Sequence, residues 1–395
     1  MIFSLVAAFV GSMSVLAPPD ISAKSAVLMD AENGRVLWCK DPDTPRYPAS
    51  TTKIMTALLL IERAKLDDMI VGPPGIDQVG EASMHMKVGE KVPARDMLYA
   101  MMLRSANDGC VAVATHVAGS VPAFVNLMNQ RAKECGATHT TFNNPNGLND
   151  PFHTTTARDL ALMGREAMRN PVFREVVRTP KYQISRTINV KDKWMKTRNK
   201  WLKKDPTADG IKTGYTVPAG HCYVGSATRQ GFRLITVVLD SDHWQQDHQN
   251  LLRWGYERFV KSTKLEANRS IGERRVGARI LDVAPAAPLY VLRRKHANDP
   301  MPFFEPTPSL PNEIKPGDTV GKIVLRDDSG FRAEQEAIAL RVENAPVPAA
   351  QAKKSSPLPQ AAFAAVLLGG LMFYRSRTRK TIQKKTVRRV SSRPR

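Results

Sequence analysis

Pro48-Ala49-Ser50-Thr51-Thr52-Lys53-Ile54-Met55 sets a serine and a lysine three residues apart, directly before the apolar run Leu58-Leu59-Leu60-Ile61. The run predicts a helix, and at i and i+3 the two side chains share one face of it. A lysine amine that has lost its proton can there take the hydroxyl proton of Ser50, so the pair reads as a nucleophile and its base. Taken alone the spacing is weak, because serine opens many helices as an N-cap and lysine is common in first turns.

Two further stretches give it weight. Ser105-Ala106-Asn107 follows a predicted helix over Met97–Leu103, and Lys212-Thr213-Gly214 lies in a strand-like stretch ahead of the hairpin pattern His221–Leu239. S-x-x-K, S-x-N and K-T-G in this order form the three-part signature of penicillin-recognising serine enzymes.

The surrounding residues carry the reading further. Arg46-Tyr47-Pro48-Ala49-Ser50-Thr51-Thr52-Lys53, Arg104-Ser105-Ala106-Asn107-Asp108 and Asp209-Gly210-Ile211-Lys212-Thr213-Gly214-Tyr215-Thr216 together resemble the D-alanyl-D-alanine carboxypeptidases of the low-molecular-mass penicillin-binding proteins. The resemblance is close over about Ser22–Phe259 and looser beyond. It implies that Ser50 attacks the carbonyl between the two terminal D-alanines of a peptidoglycan stem peptide and is acylated, and that β-lactams acylate the same serine. Lys53 is then the base, its pKa lowered by burial and by a second cation, for which Lys212 is the candidate. Ser105 relays a proton to the departing amine, and Asn107 holds the substrate amide. Lys212 and Thr213 meet the terminal carboxylate, Gly214 and Tyr215 complete the substrate strand, and the backbone N–H groups of Ser50 and Tyr215 form the oxyanion hole. No cofactor and no metal is implied. One departure stands out: family members often carry an arginine after the final strand, and Leu239–Asn250 contains none. Carboxylate binding therefore rests more heavily on Lys212 and Thr213.

The chain of 395 residues is long enough for two domains, and its formal charge of +21 is unevenly placed. Arg375–Arg395 holds ten Lys or Arg and no acid, which leaves the rest too moderately basic to suggest a nucleic-acid groove. A basic tail beside the apolar stretch Ala361–Tyr374 suggests membrane topology instead. As a helix that stretch spans about 21 Å, short of a hydrocarbon core of roughly 30 Å, and Leu358–Gln360 with snorkelling Arg375 and Arg377 narrow the gap. We expect a span, with the basic tail in the cytoplasm and the catalytic part outside. At the other end, apolar Ile2–Val10 and the small residues before Pro18-Pro19 suit a signal peptide cleaved after Ala17, although a positive n-region is missing. Cys39, Cys110, Cys135 and Cys222 form no C-x-x-C pair and read as free, mostly buried thiols.

The coarse pattern is α+β. Ser25–Asp30 and Arg35–Cys39 read as strands joined by an Asn33-Gly34 turn, and helices are expected from Ser50 to about Leu66, through most of Pro93–Cys135, and from Thr156 to about Asn170. Tyr182–Val190 alternates like a strand, and Lys191–Lys204 reads as an exposed loop beside the substrate groove. Three strands and the helix Gln245–Val260 close a catalytic domain at residues 22–262. Short β-like runs over 264–343 form a small all-β domain, followed by a linker at 344–360, the anchor at 361–374 and the basic tail at 375–395.

Two other functions compete. A class A β-lactamase needs a further carboxylate, and Glu166-Ala167-Met168-Arg169-Asn170 matches its short E-x-x-x-N pattern; however, these residues extend a helix, which makes Glu166 a solvated helix residue. A catalytically silent wall-binding module has no need of both nucleophile and base.

Overall fold

The computed structural model describes residues 17–344. Gly34, with φ of 74°, takes the chain through the expected turn between the strands Ser25–Asp30 and Val36–Lys40. The central antiparallel sheet runs in the order Val36–Lys40, Ser25–Asp30, Phe232–Ser241, Gly220–Arg229, Ala208–Thr216. The last of these is an edge strand, and it carries the K-T-G residues.

Alternation along the strands divides the interior into two layers. Val27, Met29, Ile235, Val237 and Leu239 face the helices Lys53–Arg63 and Ala157–Ala167, whereas Ala26, Leu28, Leu234 and Val238 face the helix Trp244–Arg258. The Lys53–Arg63 helix is buried along its first eight residues, from Lys53 to Leu60. A helix covered on all sides needs no polar face, which explains its Leu58-Leu59-Leu60-Ile61 run.

Beyond Lys264 the chain enters a second five-stranded sheet, ordered Glu273–Val276, Arg279–Pro285, Arg332–Asn344, Thr319–Arg326, Phe303–Pro306. It has its own core of Leu281, Val283, Val320, Ile323, Leu325 and Ala337. Arg35 joins the two sheets. Its guanidinium donates to Leu292 O (2.6 Å) and Ser329 Oγ (2.8 Å), pairs with Asp327, and lies over the rings of Phe259 and Phe331.

Several sequence expectations need correction. The helix opened by Thr156 stops at Ala167, because Asn170 caps a separate helix, Pro171–Arg178, by accepting from Val172 N and Phe173 N. Of the expected strand 182–190 only Tyr182 and Gln183 are in a strand, Lys181–Gln183, paired with Trp194–Lys196; Arg186 turns inward to a buried ion pair with Glu90 (2.7 Å), which breaks the alternation. Residues 191–204 are not a plain exposed loop, since Trp201 is buried and opens a helical turn. Glu166 is not freely solvated: it pairs with Arg131 (2.9 Å) and Arg169 (3.0 Å). All four cysteines are free, with Cys110 and Cys222 buried but Cys39 exposed. Among the described residues no single helix is long and apolar enough to cross a membrane. The signal, linker, anchor and tail segments lie outside the described residues, apart from Ala17 and Asn344 at their borders.

Candidate active site

The S-x-x-K turn is shaped by its neighbours. Ala49 has φ of 47°, and Ala49–Thr52 form a 3-10 turn that runs straight into the Lys53–Arg63 helix. Two glycines let other segments close on this turn. A Cβ on Gly214 would lie 3.0 Å from Ser50 N and 3.1 Å from Pro48 O, and a Cβ on Gly147 would collide with Ala49 O. The K-T-G strand and the 143–150 loop can thus press against the serine from different segments of the chain.

Lys53 is wholly buried, and its Nζ has three partners: Ser50 Oγ (3.0 Å), Asn107 Oδ1 (2.7 Å) and Asn146 O (2.5 Å). An ammonium donates to all three. Once a proton is lost, two N–H groups remain for two oxygens that only accept, and the lone pair is left facing the Ser50 hydroxyl. Burial brings Lys53 down from the ordinary 10.5 to about 8. Among the charges, the Arg198 guanidinium adds to this drop and the Asp108 and Glu81 carboxylates oppose it.

Lys212, the expected second cation, is coupled to Lys53. Lys212 is itself buried and driven well below the lysine range, first by desolvation and then by the charges of Lys53 and Arg198. Its Nζ donates to Thr213 O (2.8 Å). The two lysines compete for charge in one dry region, and Arg198 presses on both.

Ser105 sits at the end of a π-helical turn, Ala100–Arg104, which delivers it into a left-handed backbone conformation (φ 69°). Its Oγ is buried with no hydrogen-bond partner among the described residues. Asn107 begins the next helix, Asn107–Ala118, and Nδ2 donates to Gly80 O (3.2 Å) while Oδ1 receives Lys53.

The 143–150 loop is held to the serine turn by Thr56 Oγ1, which donates to Pro145 O (2.5 Å), and by His153. Nδ1 of His153 accepts from Asn143 N (2.9 Å) and Nε2 meets Thr52 Oγ1 (2.8 Å). Burial pushes the His153 pKa down to about 4, so the imidazole is neutral near pH 7 and the proton must sit on Nε2. It is a clamp between two segments.

A cleft of about 410 Å³ opens over these groups, lined by Ser50, Ser105, Asn107, Thr213, Gly214 and Tyr215 among others. Lys53 and Lys212 are buried and do not line it. All eight residues singled out in the sequence therefore converge. Sequence reasoning missed Asn146, Gly147, Glu81 and Trp244, and identified Arg198 and Lys200 only as part of a basic run beside a groove. The dense turn Asn144-Pro145-Asn146-Gly147 was the available signal for the first two. Glu166 is absent from the cleft lining.

A sheet edge facing a cleft-lining serine that is backed by a buried lysine defines a class: serine acyl transferases of the penicillin-binding fold. Comparison with known proteins agrees. Residues 12–243 match the peptidase S11 model, D-alanyl-D-alanine carboxypeptidase. The D-alanyl-D-alanine carboxypeptidase DacF of Bacillus subtilis is 28% identical over 330 residues, covering 80% of this chain and 85% of its own. DacC of Escherichia coli is 32% identical over 338 residues, with 80% and 82% covered. Among solved structures, penicillin-binding protein 5 of Haemophilus influenzae superposes with a TM-score of 0.71 at 28% identity, covering 83% of this chain and all of its own. The chain belongs to the peptidase S11 family and is a serine-type D-Ala-D-Ala carboxypeptidase.

Proposed function

We propose that Ser50 is the residue acylated in this reaction, with Lys53 as its base. The contact geometry of Lys53 carries the proposal: with Asn107 Oδ1 and Asn146 O as acceptors, the neutral amine has its lone pair toward Ser50 Oγ. Ser50 Oγ adds to the carbonyl between the two D-alanines while its proton passes to Lys53 Nζ. Backbone N–H groups of Ser50 and Tyr215 receive the oxyanion, an effect worth about 2.7–4 kcal/mol per donor. The C–N bond then breaks as Ser105 Oγ relays to the departing D-alanine amine the proton that Lys53 had taken, which returns Lys53 to its neutral form. Water hydrolyses the ester and restores Ser50.

Lys212 and Thr213 take the terminal carboxylate in this reading, and Asn107 takes the amide. A carboxylate beside Lys212 offsets the desolvation and repulsion that lower its pKa, so its arrival favours charged Lys212 beside neutral Lys53. This is the protonation pattern that attack requires. β-Lactams fit the same steps up to the acyl-enzyme, where the leaving nitrogen remains tethered to the adduct.

The catalytic domain would work outside the cytoplasmic membrane on peptidoglycan stem peptides, held by the apolar stretch 361–374 with the basic tail inside. The charge asymmetry after Arg375 supports that topology. Domain limits of 22–262 and 264–343 are part of the same reading.

The test is incubation with a pentapeptide ending in D-Ala-D-Ala, with the lifetime of a penicillin adduct measured in parallel. Release of free D-alanine with a long-lived adduct is expected. Rapid turnover of penicillin without D-alanine release would contradict it.

A further inference from the structure

Glu81 lines the same cleft as Ser50 and Thr213, and it is the one acid among the described lining residues, where Arg198 and Lys200 are cations. Its side chain is exposed. No hydrogen bond or ion pair occupies its carboxylate among the described residues. The backbone there has φ of 63°, a region uncommon for any residue but glycine. Asn107 holds it in place from both sides, with N donating to Ala82 O (2.7 Å) and Nδ2 to Gly80 O (3.2 Å). Asp108 extends the clamp by accepting from Ser83 Oγ (2.6 Å), Met84 N (3.0 Å) and Met86 N (2.9 Å). A rigid segment thus presents one free carboxylate beside Asn107.

The direction of the substrate gives that carboxylate a task. With the terminal carboxylate at Lys212 and Thr213 and the reacting carbonyl at Ser50, the chain leaves the site past Asn107. The residue that precedes the two D-alanines then falls beside Glu81. An anionic side chain would be repelled there, and a neutral one would leave the carboxylate unmatched. We infer that Glu81 is a specificity residue that selects peptides with a free ammonium on the side chain of the residue preceding the two D-alanines. The inference rests on the Ser50 reading given above.

The experiment compares kcat/KM for D-alanine release from Nα-acetyl-L-Lys-D-Ala-D-Ala and from its Nα,Nε-diacetyl form. The enzyme should prefer the free amine by about two- to fivefold, the range for a pair in solvent. Glu81→Gln should bring the ratio close to one. Glu81→Lys should turn the preference toward an Nε-succinyl peptide, a gain that misfolding cannot imitate. An unchanged ratio in Glu81→Gln would overturn the proposal. So would an equal fall on both peptides, which would assign Glu81 to the electrostatics of Lys53 instead. If the unmodified enzyme releases D-alanine from neither peptide and forms no adduct at Ser50, the underlying reading falls as well, and that result is distinct from a lost preference.

Discussion

Lys212 on the strand Ala208–Thr216 and Lys53 on the helix Lys53–Arg63 are both sealed from water, and burial moves both away from the ordinary lysine range. In the sheet built on Thr319–Arg326 and Arg332–Asn344, charges instead meet at the surface, Lys322 with Glu334, Arg332 with Glu305, and Arg341 with Glu273. Exposed pairs contribute little and leave the groups to solvent. A buried lysine is costly to charge, and that cost turns it into a base near neutral pH. The contrast teaches where to look for chemistry in this chain: in the dry first sheet and its helices, not in the second sheet's numerous ion pairs.

Removing the dry site's own groups should have the largest effect. Ser50→Ala abolishes covalent labelling by a fluorescent penicillin while circular dichroism stays native. Lys53→Ala lowers the acylation rate by roughly 10²–10⁴-fold, and the double variant is no worse than Ser50→Ala because the two act as a unit. Normal labelling of either variant would break the comparison.

Arg35→Ala attacks the joint between the two regions. It leaves Asp327 buried without its partner, so urea unfolding should show a loss of about 3 kcal/mol. The folded fraction should keep its acylation rate, since Arg35 touches nothing in the cleft. A fall in that rate would mean that the second sheet takes part in the chemistry.

The pH profile sharpens the same contrast. With Lys53 at about 8, the neutral base is about a tenth of the enzyme at pH 7 and about nine-tenths at pH 9, so acylation should rise roughly tenfold between them. The stability effect comes from the same lowered value but spans a higher window. The folded value lies below the unfolded 10.5, so the full cost of charging is present below pH 8 and is relieved as pH rises from about 8 to 10.5. Stability of Lys53→Met relative to the unmodified protein should therefore decline across that window. An acylation rate flat from pH 6 to 9 would remove Lys53 as the base. Least of all, Lys322→Ala should change stability by within about 0.5 kcal/mol and leave acylation alone.

How much was legible follows from how each group is delivered. Ser50 and Lys53 share one turn, and Lys212–Tyr215 share one strand, so short contiguous motifs and the family resemblance they carry could find them. Asn146 and Gly147 reach the same site from a loop more than ninety residues after Ser50. Their role depends on a backbone carbonyl and on a missing Cβ, neither of which a residue type announces. Arg198 was visible only as part of a basic run, because its effect on Lys53 and Lys212 is that of a charge brought close by the fold, which composition does not report. Arg35 looked like the first residue of a strand, yet its side chain is spent on joining the two sheets. The helix limit at Ala167 was missed although Asn170-Pro171 marks a fresh start, since the apolar spacing across 160–168 outweighed it.

The most direct test of the central claim is to locate the penicillin adduct. The full chain is labelled, digested after lysine and arginine, and the peptides are fragmented in a mass spectrometer. The account predicts the added mass on the peptide Tyr47–Lys53, with fragment ions placing it on Ser50. An adduct on Ser105, or on any peptide outside that turn, would contradict it.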